Sequence, residues 1–373
     1  MNKIVSLIAS LALAFFILCL DDVSAQTPSG APQPDAAIDG ATKTQIINDL
    51  LKQLNDSYVF PETAKKMEAA LRERVSKKEY DQVTGSRAFA AKLTEDLQAV
   101  SKDGHLRVRF SPEAIPVRAQ RNEPGAEEKE NFKRFANRVN HGFERVERLP
   151  GNVGYIDLRG FMHPELGAET VAAAMNFVHN TDALIFDLRQ NGGGQPEMVA
   201  LICSYLFGDK PIHLNDLYWR EGNKTEEYWT KPGLVIGKRY DGKDIYVLTS
   251  KRTFSGAEEF SYNLKNLKRA TIVGETTGGG AHPGSSVRLN EHFAAFIPTG
   301  RAINPISKTN WEGTGVEPDV KVPKEQALKT AHLMALTKIV EKTADAQVKN
   351  ALKQTIDQLQ GELNEMKKTA KIN

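Results

Sequence analysis

One candidate for catalytic chemistry in this sequence is Ser255. It lies in TSKRTFSGAEEF, where a predicted strand ending at Ser250 turns into a helix that begins at Gly256. A serine at such a turn stands at the rim of a sheet with backbone N–H groups of the new helix directed toward it, which suits a nucleophile. Thr253 and Ala257 occupy the glycine positions of the hydrolase motif G-x-S-x-G, so an ordinary N-cap serine is the alternative.

A run of glycines offers the second chemical feature. The segment DLRQNGGG ends a predicted buried strand and places Gly192–Gly194 before the next helix. Glycines at this point free the backbone to turn N–H groups outward, which would form an oxyanion hole for a developing alkoxide. A phosphate-binding loop is disfavoured because Glu197 stands where G-x-G-x-x-G requires glycine, and no Gly-Lys-Ser/Thr sequence follows.

Two histidines and one carboxylate complete the set of candidates. His105, in KDGHLRVRF, leads into a short alternating strand, and an imidazole is the usual proton acceptor for a serine because its pKa lies near working pH. His282, in the second glycine loop TTGGGAHPG, is the competing base. Glu312, in NWEGTGVEPDV, could orient an imidazole and stabilise its protonated form, or be an exposed residue beside a turn.

The elements that must position these residues follow two different patterns. From Thr42 to Val100, apolar residues recur at helical spacing in three successive stretches, which predicts a small helical domain with a Thr42–Gln45 capping box and Pro61 in a first helical turn. From Asn152 onward, apolar strands alternate with helices, which predicts a parallel or mixed sheet covered by helices.

The remaining segments are predicted to connect or to extend these two parts. The charged stretch from Val117 to Arg148 is expected to be an exposed connector or a solvated helix. Two amphipathic stretches after Leu328 are expected to pack onto the body, with dimerisation as the alternative use. Loops between Leu214 and Pro232, rich in Trp and Tyr, are candidates for substrate specificity.

Composition and the first residues indicate an exported globular protein. Lys plus Arg total 49 against 47 Asp plus Glu, a balance that disfavours nucleic acid as a partner. The two cysteines, Cys19 and Cys203, can form neither a disulfide scaffold nor a zinc site. Lys3, an apolar run and Val23-Ser24-Ala25 predict a signal peptide over residues 1–25, followed by a flexible tether over 26–40. A retained membrane anchor is the alternative, since the apolar run could just span a thin bilayer.

Taken in order, the motifs resemble those of a known family. KDGHL, IFDLRQNGGG, TSKRTFSGAEEF through TTGGGAHPG, and NWEGTGVEPDV are similar to the C-terminal processing (tail-specific) serine peptidase superfamily. The nearest branch is that of interphotoreceptor retinoid-binding protein and the tricorn core. The resemblance implies a crotonase/Clp-protease-like α/β core, which we place at residues 151–325, preceded by the small helical domain over 41–104. The sequence patterns add a strand and charged connector over 105–150 and C-terminal helices over 326–373.

The resemblance also implies roles for individual residues. Ser255 would be the nucleophile, His105 the general base and Glu312 the residue that orients it, while the N–H groups of Gly256 and Gly193 would form the oxyanion hole. The expected activity is hydrolysis of peptide bonds in peptide or protein substrates, with neither metal nor organic cofactor and with possible homo-oligomerisation. A non-catalytic carrier of hydrophobic ligands on the same fold, and a scaffold assembling through the C-terminal helices, are the alternative functions.

Three departures from the family's patterns narrow this expectation. Tail-specific members use a lysine base 25 residues after the serine, where this sequence has Gly280, so a histidine must act as the base. Gly104 precedes His105 where tricorn-like sites have a serine. Only about forty residues separate the His105 strand from the Asn152 strand, too few for a peptide-gripping PDZ domain.

Overall fold

The computed structural model describes residues 35–117 and 125–369, which divide into two compact units. The described residues of Met1–Ala126, with Asp216–Glu226 and Gly280–Ile303, form unit 1. Glu127–Asn215, Glu227–Gly279 and the described residues of Asn304–Asn373 form unit 2. The contacts therefore divide the chain differently from the predicted continuous domain over 151–325, because two internal segments of that range belong to unit 1.

Helices and strands are numbered here in chain order. The helices are α1 (Gly40–Ser57), α2 (Pro61–Ser76), α3 (Ser86–Ser101), α4 (Ala126–Arg138), α5 (Pro164–Val178), α6 (Pro196–Leu206), α7 (Gly256–Asn266), α8 (Lys324–Lys342) and α9 (Ala346–Thr369). The strands are β1 (Arg107–Phe110), β2 (Phe143–Leu149), β3 (Val153–Leu158), β4 (Ala183–Asp187), β5 (His213–Trp219), β6 (Lys224–Trp229), β7 (Asp244–Thr249), β8 (Thr271–Gly274), β9 (Gly284–Arg288), β10 (Phe293–Pro298), β11 (Gly300–Ile303) and β12 (Val320–Lys321).

Unit 1 contains the three predicted N-terminal helices. Their apolar faces are buried together, with Leu50, Met67 and Leu93 at 0% exposure, and Pro61 occupies the first turn of α2 as expected. The predicted Thr42–Gln45 capping box is wrong. The N-cap of α1 is Asp39, whose Oδ1 accepts a hydrogen bond from the Thr42 backbone N–H at 2.7 Å, because the helix begins earlier than the apolar pattern indicates.

Strands from distant parts of the chain complete unit 1. β10 pairs antiparallel with both β1 and β9, with Arg107 opposite Phe296, and the apolar residues of this sheet join the core of α1–α3. A second sheet has the order β11-β5-β6, and unit 1 contains β11 together with the parts of β5 and β6 that lie within Asp216–Glu226. The stretch from Leu214 to Pro232, predicted as loops, is largely the β5–β6 hairpin.

Unit 2 is built on a six-stranded sheet in the order β12-β8-β7-β4-β3-β2. β3, β4, β7, β8 and β12 run parallel, and β2 joins the edge antiparallel to β3. This confirms the predicted mixed α/β sheet. The central strands read as continuous apolar runs because both of their faces are buried.

Helices cover both faces of the unit 2 sheet. Side chains of α5, α6 and α7 pack on one face, with alternate strand residues such as Ile156, Phe186 and Val247. α8 and α9 pack on the other face, against residues such as Tyr155 and Ile185. The C-terminal amphipathic helices thus bury apolar positions against the body of the same chain, as expected.

The charged stretch before the sheet contains regular structure. Its described residues include α4, of which only Ala136 is buried, and β2 at the sheet edge. The predicted signal peptide lies outside the described residues, as does much of the predicted tether. The predicted flexible tether is wrong from Asp35 onward, because this residue is bound to the start of α3. Its carboxylate accepts hydrogen bonds from Arg87 N at 2.8 Å and Ala88 N at 3.1 Å. Among the described helices, none combines the length and apolarity needed to cross a membrane.

Candidate active site

Ser255 occupies a strained turn between β7 and α7. It has φ 53° and ψ −122°, a backbone conformation that side-chain-bearing residues seldom adopt, and it is the N-cap of the helix. The residue is only 6% exposed. Such a turn places the side chain at the positive end of the helix dipole, so the sequence expectation of a serine at a strand-to-helix turn matches the structure.

The glycine triplet lies directly beside this turn. Gly193 has φ 110°, and a Cβ added to it would lie 2.7 Å from Gly256 N and 2.8 Å from Ser255 Cβ. A Cβ added to Gly256 would in turn lie 3.0 Å from Gly194 N. The backbones approach so closely that no side chain fits at Gly193, which explains why glycine stands there.

The Gly193 N–H group already donates a hydrogen bond within the protein. It donates to Asn191 Oδ1 at 2.8 Å, while Gly193 O accepts from Phe161 N at 2.9 Å. Asn191 is fully buried, and its Nδ2 donates to Leu158 O at 2.9 Å. Sequence reasoning missed Asn191, although an asparagine immediately before a glycine run is a frequent side-chain-to-backbone anchor.

Glu258, another residue missed by sequence reasoning, holds the Ser255 turn from the helix side. Its Oε2 accepts a hydrogen bond from Ser255 N at 2.9 Å. The spacing Ser-x-x-Glu was the available signal, because glutamate three residues after an N-cap serine is the capping-box pattern.

Glu312 lies in unit 2, in the loop that leads to β12. It is half-buried, and its backbone N–H donates to Asn310 Oδ1 at 2.9 Å. The next residue, Gly313, donates its N–H to Gly279 O at 2.9 Å, so this loop is tied to the start of the second glycine loop.

His105 lies in unit 1, just before β1. It is 6% exposed, its ring packs 5.9 Å from the Phe296 ring, and its backbone N–H donates to Asp103 Oδ1 at 3.0 Å. Burial lowers the pKa of His105 to about 4, because desolvation outweighs the attraction of the nearby Asp103 carboxylate. The imidazole is therefore neutral at physiological pH, as a general base must be.

His282 has a different environment in the same unit. Its Nδ1 lies 2.8 Å from Asp103 Oδ2, a contact that a protonated Nδ1 makes as donor, and Tyr58 Oη donates to the same carboxylate oxygen at 3.0 Å. Burial raises the pKa of Asp103, but the hydrogen bond and charge of His282 outweigh it and lower that pKa overall. Sequence reasoning did not select Asp103, which contacts both candidate bases.

The predicted site residues are thus divided between the two units. Ser255, Gly256, Gly193 and Glu312 belong to unit 2, and His105 belongs to unit 1 with His282. Within unit 2, the structure brings the serine and both glycines together, as the close approaches of Gly193 and Gly256 demonstrate.

Family models match most of the chain. The model for peptidase family S41 matches residues 152–322, which includes the strained serine turn and the glycine triplet. The model described as the N-terminal domain of Peptidase_S41 in eukaryotic IRBP matches residues 41–143. The chain therefore belongs to peptidase family S41, which confirms the family that the motifs predicted.

Named relatives are similar over part of their length. A chloroplastic carboxyl-terminal-processing peptidase 2 from Arabidopsis thaliana is 28% identical over 193 residues, 50% of this chain and 36% of that protein. A carboxy-terminal-processing protease from Bartonella bacilliformis is 27% identical over 187 residues, 47% of this chain and 40% of that protein. The chain thus matches well under two thirds of the length of these relatives.

Solved structures support the fold. A candidate peptidase from Parabacteroides merdae has a TM-score of 0.53 at 18% identity and covers 79% of this chain and 96% of its own. A lipoprotein from Streptococcus agalactiae has a TM-score of 0.50 at 15% identity, covering 84% of this chain and 100% of its own. The same mixed α/β architecture is therefore present in proteins of low sequence identity.

Proposed function

We propose that this protein is an exported serine peptidase in which Ser255 is the nucleophile and His105 the general base. The observation that carries the proposal is the conformation of Ser255, a non-glycine residue at φ 53° between a helix N-terminus and a glycine backbone within van der Waals reach. Strained backbone of this kind costs about 1–3 kcal/mol and concentrates at functional sites. Membership of a peptidase family supports the same class of reaction.

The proposed reaction is acyl transfer in two steps. His105 removes the proton of Ser255 as Oγ attacks the carbonyl carbon of a peptide bond, and the carbonyl π electrons move to oxygen. Collapse of the tetrahedral intermediate breaks the C–N bond, and the imidazolium returns its proton to the amine. Water then hydrolyses the ester with the same base. Glu312 orients His105 in this proposal.

The proposed oxyanion hole uses the Gly256 N–H group and one N–H group of the glycine triplet. Sequence resemblance assigned Gly193, whose N–H donates to Asn191 in this structure. Gly194 N, 3.0 Å from where a Gly256 Cβ would lie, is the neighbouring candidate. Either arrangement places backbone dipoles beside Ser255 before the reaction begins, which is where they stabilise developing charge most.

His105 is proposed over His282 on the basis of environment. Its neutral form persists over the whole physiological range, because burial lowers its pKa to about 4. His282 has the competing merit of a carboxylate partner in Asp103, the arrangement that orients a catalytic imidazole in serine peptidases.

Peptides or proteins are the proposed substrates, because the family and the named relatives are peptidases or processing proteases. Export to the periplasm or beyond is proposed from the predicted signal peptide. Nucleic acid is not a proposed partner, and homo-oligomerisation remains a prediction of the sequence.

The test is covalent labelling of the purified protein with a fluorophosphonate probe. We expect one modification, located on Ser255 by peptide mass mapping and absent in Ser255→Ala, since the probe reacts with activated serines. Wild-type protein that takes up no probe while remaining folded would contradict the peptidase proposal and favour a carrier of hydrophobic ligands.

A further inference from the structure

The Glu258 carboxylate is a fully buried acceptor for three hydrogen-bond donors. Oε2 accepts from Ser255 N at 2.9 Å. Oε1 accepts from Gly279 N at 2.6 Å and from Thr277 Oγ1 at 2.5 Å. One side chain thus connects the nucleophile turn to the second glycine loop, and all four residues belong to unit 2.

The network extends from the second glycine loop to the Glu312 loop. Thr277 Oγ1, which donates to Glu258, accepts from Val316 N at 2.6 Å. Gly279, which donates its N–H to Glu258, accepts at its carbonyl from Gly313 N at 2.9 Å. The Glu258 carboxylate therefore binds the Ser255 turn and the second glycine loop directly, and it is linked to the Glu312 loop through Thr277 and Gly279.

The Ser255 turn needs such a partner for two reasons. Its N–H group lies before the first turn of α7 and finds no acceptor in the helix ladder, so a buried acceptor must be supplied by a side chain. Its φ of 53° is also unfavourable for a residue with a side chain, and such a conformation persists only where surrounding contacts over-determine it. Glu258 provides the acceptor and fixes the direction of the N–H bond.

We propose that Glu258 is the positioning residue that holds Ser255 in its reactive conformation by tying it to the second glycine loop. This inference rests on the proposed function, because it assumes that Ser255 is the nucleophile. The Glu258 carboxylate acts on Ser255 through the backbone N–H group of the turn, so this is a positioning role and not a catalytic one.

The chemistry at this position requires a carboxylate. Three donors converge on two oxygens, and glutamine offers only one acceptor atom, so Glu258→Gln directs an NH₂ group against at least one N–H or O–H donor. An opposed pair of donors in a buried site loses a hydrogen bond and repels. The expected result is a displaced Ser255, and a shift of about 1 Å at a reacting atom lowers rates about 100-fold.

Glu259, the next residue of the same helix turn, is the matched control. It is also buried, at 5% exposure, but its pKa is raised to about 8 by burial and by the nearby Glu197 carboxylate. Because the Glu259 side chain is mainly neutral at pH 7, Glu259→Gln replaces one neutral group with another of the same shape.

The experiment measures the maximal inactivation rate, kinact, and the half-saturation concentration, KI, of the fluorophosphonate probe at pH 7. We expect Glu258→Gln to lower kinact about 100-fold, with KI little changed and with the protein still folded by circular dichroism, and Glu259→Gln to keep kinact within about 3-fold. Thr277→Val should lower kinact about 10-fold. Thr277→Ser keeps the hydroxyl group and should retain the wild-type kinact.

Each outcome decides a different point. Wild-type kinact in Glu258→Gln, or equal losses in Glu258→Gln and Glu259→Gln, would overturn the positioning role and leave Ser255 as the labelled nucleophile. An unlabelled wild-type protein would overturn the proposed function and this inference together. If Glu258→Gln does not fold, equal kinact in Thr277→Val and Thr277→Ser overturns the inference, and the expected difference between them supports it.

Discussion

Two regions of the molecule are held in different ways: the turn of unit 2 that carries the proposed nucleophile Ser255 (the nucleophile turn), and the histidine cluster of unit 1. Ser255 is constrained by backbone packing, since a glycine backbone lies where no side chain fits and a carboxylate accepts its N–H group. His105 and His282 are instead arranged around the single carboxylate of Asp103, through one backbone and one side-chain hydrogen bond. The first region depends on the shape of the backbone and on the hydrogen bonds of one carboxylate, and the second depends on which of its ionisable groups carries a proton.

This difference determines how each region should respond to change. A substitution at the nucleophile turn alters positions of reacting atoms, so its effect should be similar at every pH. A substitution in the histidine cluster alters which group carries a proton, so its effect should vary with pH. Measuring each variant over a range of pH therefore separates the two responses.

The largest effect is expected for Ser255→Ala, which removes the proposed nucleophile and leaves the turn otherwise intact. Peptidase turnover should fall by about four to six orders of magnitude, as it does when a serine nucleophile is deleted from an acyl-transfer site. The measurement is kcat on a protein substrate that the wild-type enzyme is found to cleave, with circular dichroism as the folding control. Turnover equal to wild type would show that Ser255 is not the nucleophile.

The next largest effect should distinguish the two histidines. We expect His105→Ala to lower kcat about 10⁴-fold, the upper range for loss of a general base, and His282→Ala to lower it about 10-fold through the altered environment of Asp103. The two variants serve as controls for each other, since both residues are 6% exposed in the same unit. The reverse order would transfer the role of base to His282, with Asp103 as its orienting carboxylate.

Local sequence signals predicted the positions of Ser255 and the glycine triplet in the fold. Ser255 and the glycine triplet each follow a strand and precede a helix, so their positions at the sheet edge follow from neighbouring residues. Even there, the anchors Asn191 and Glu258 were missed, because a hydrogen-bonding role is shared by many asparagines and glutamates that lie on surfaces.

The histidine region could not be assembled from the sequence. His282 and Asp103 are 179 residues apart in the sequence. β1 pairs with β10, but the two strands are not joined by a short turn that would indicate this pairing in the sequence. Antiparallel strands joined over such a distance are chosen by the burial of a common core, which acts only in the folded chain. The division into discontinuous units has the same origin.

A smaller but still large effect is expected for Gly193→Ala. An added Cβ would lie 2.7 Å from Gly256 N, and φ 110° is strained for alanine, so the backbone beside Ser255 must move. Turnover should fall about 10²–10³-fold, comparable to loss of one oxyanion donor, with a similar factor at every pH. Gly233→Ala is the control, because nothing lies within 4 Å of its added Cβ. Equal activity of the two variants would contradict the shape-based description of the turn.

The smallest effect expected is a change in the labelling rate at acid pH. It tests the histidine cluster, because the rate should fall only when His105 becomes protonated. Because burial lowers the pKa of His105 to about 4, its neutral form should remain available as the pH falls well below the ordinary histidine value of about 6.5. The second-order rate of fluorophosphonate labelling should therefore stay level from pH 8 to about 5 and decline only near pH 4.

The same shift of the His105 pKa makes a prediction for stability. The folded-state pKa lies below the unfolded value, so protonation favours the unfolded chain. His105 therefore reduces stability progressively as the pH falls from about 6.5 toward 4. Circular dichroism at each pH separates unfolding from loss of the base, and His105→Gln should flatten this part of the stability profile.

The labelling rate has its own contradicting outcome. A fall in the labelling rate near pH 6.5 in fully folded protein would show that a histidine with an ordinary pKa, and not His105, accepts the proton of Ser255.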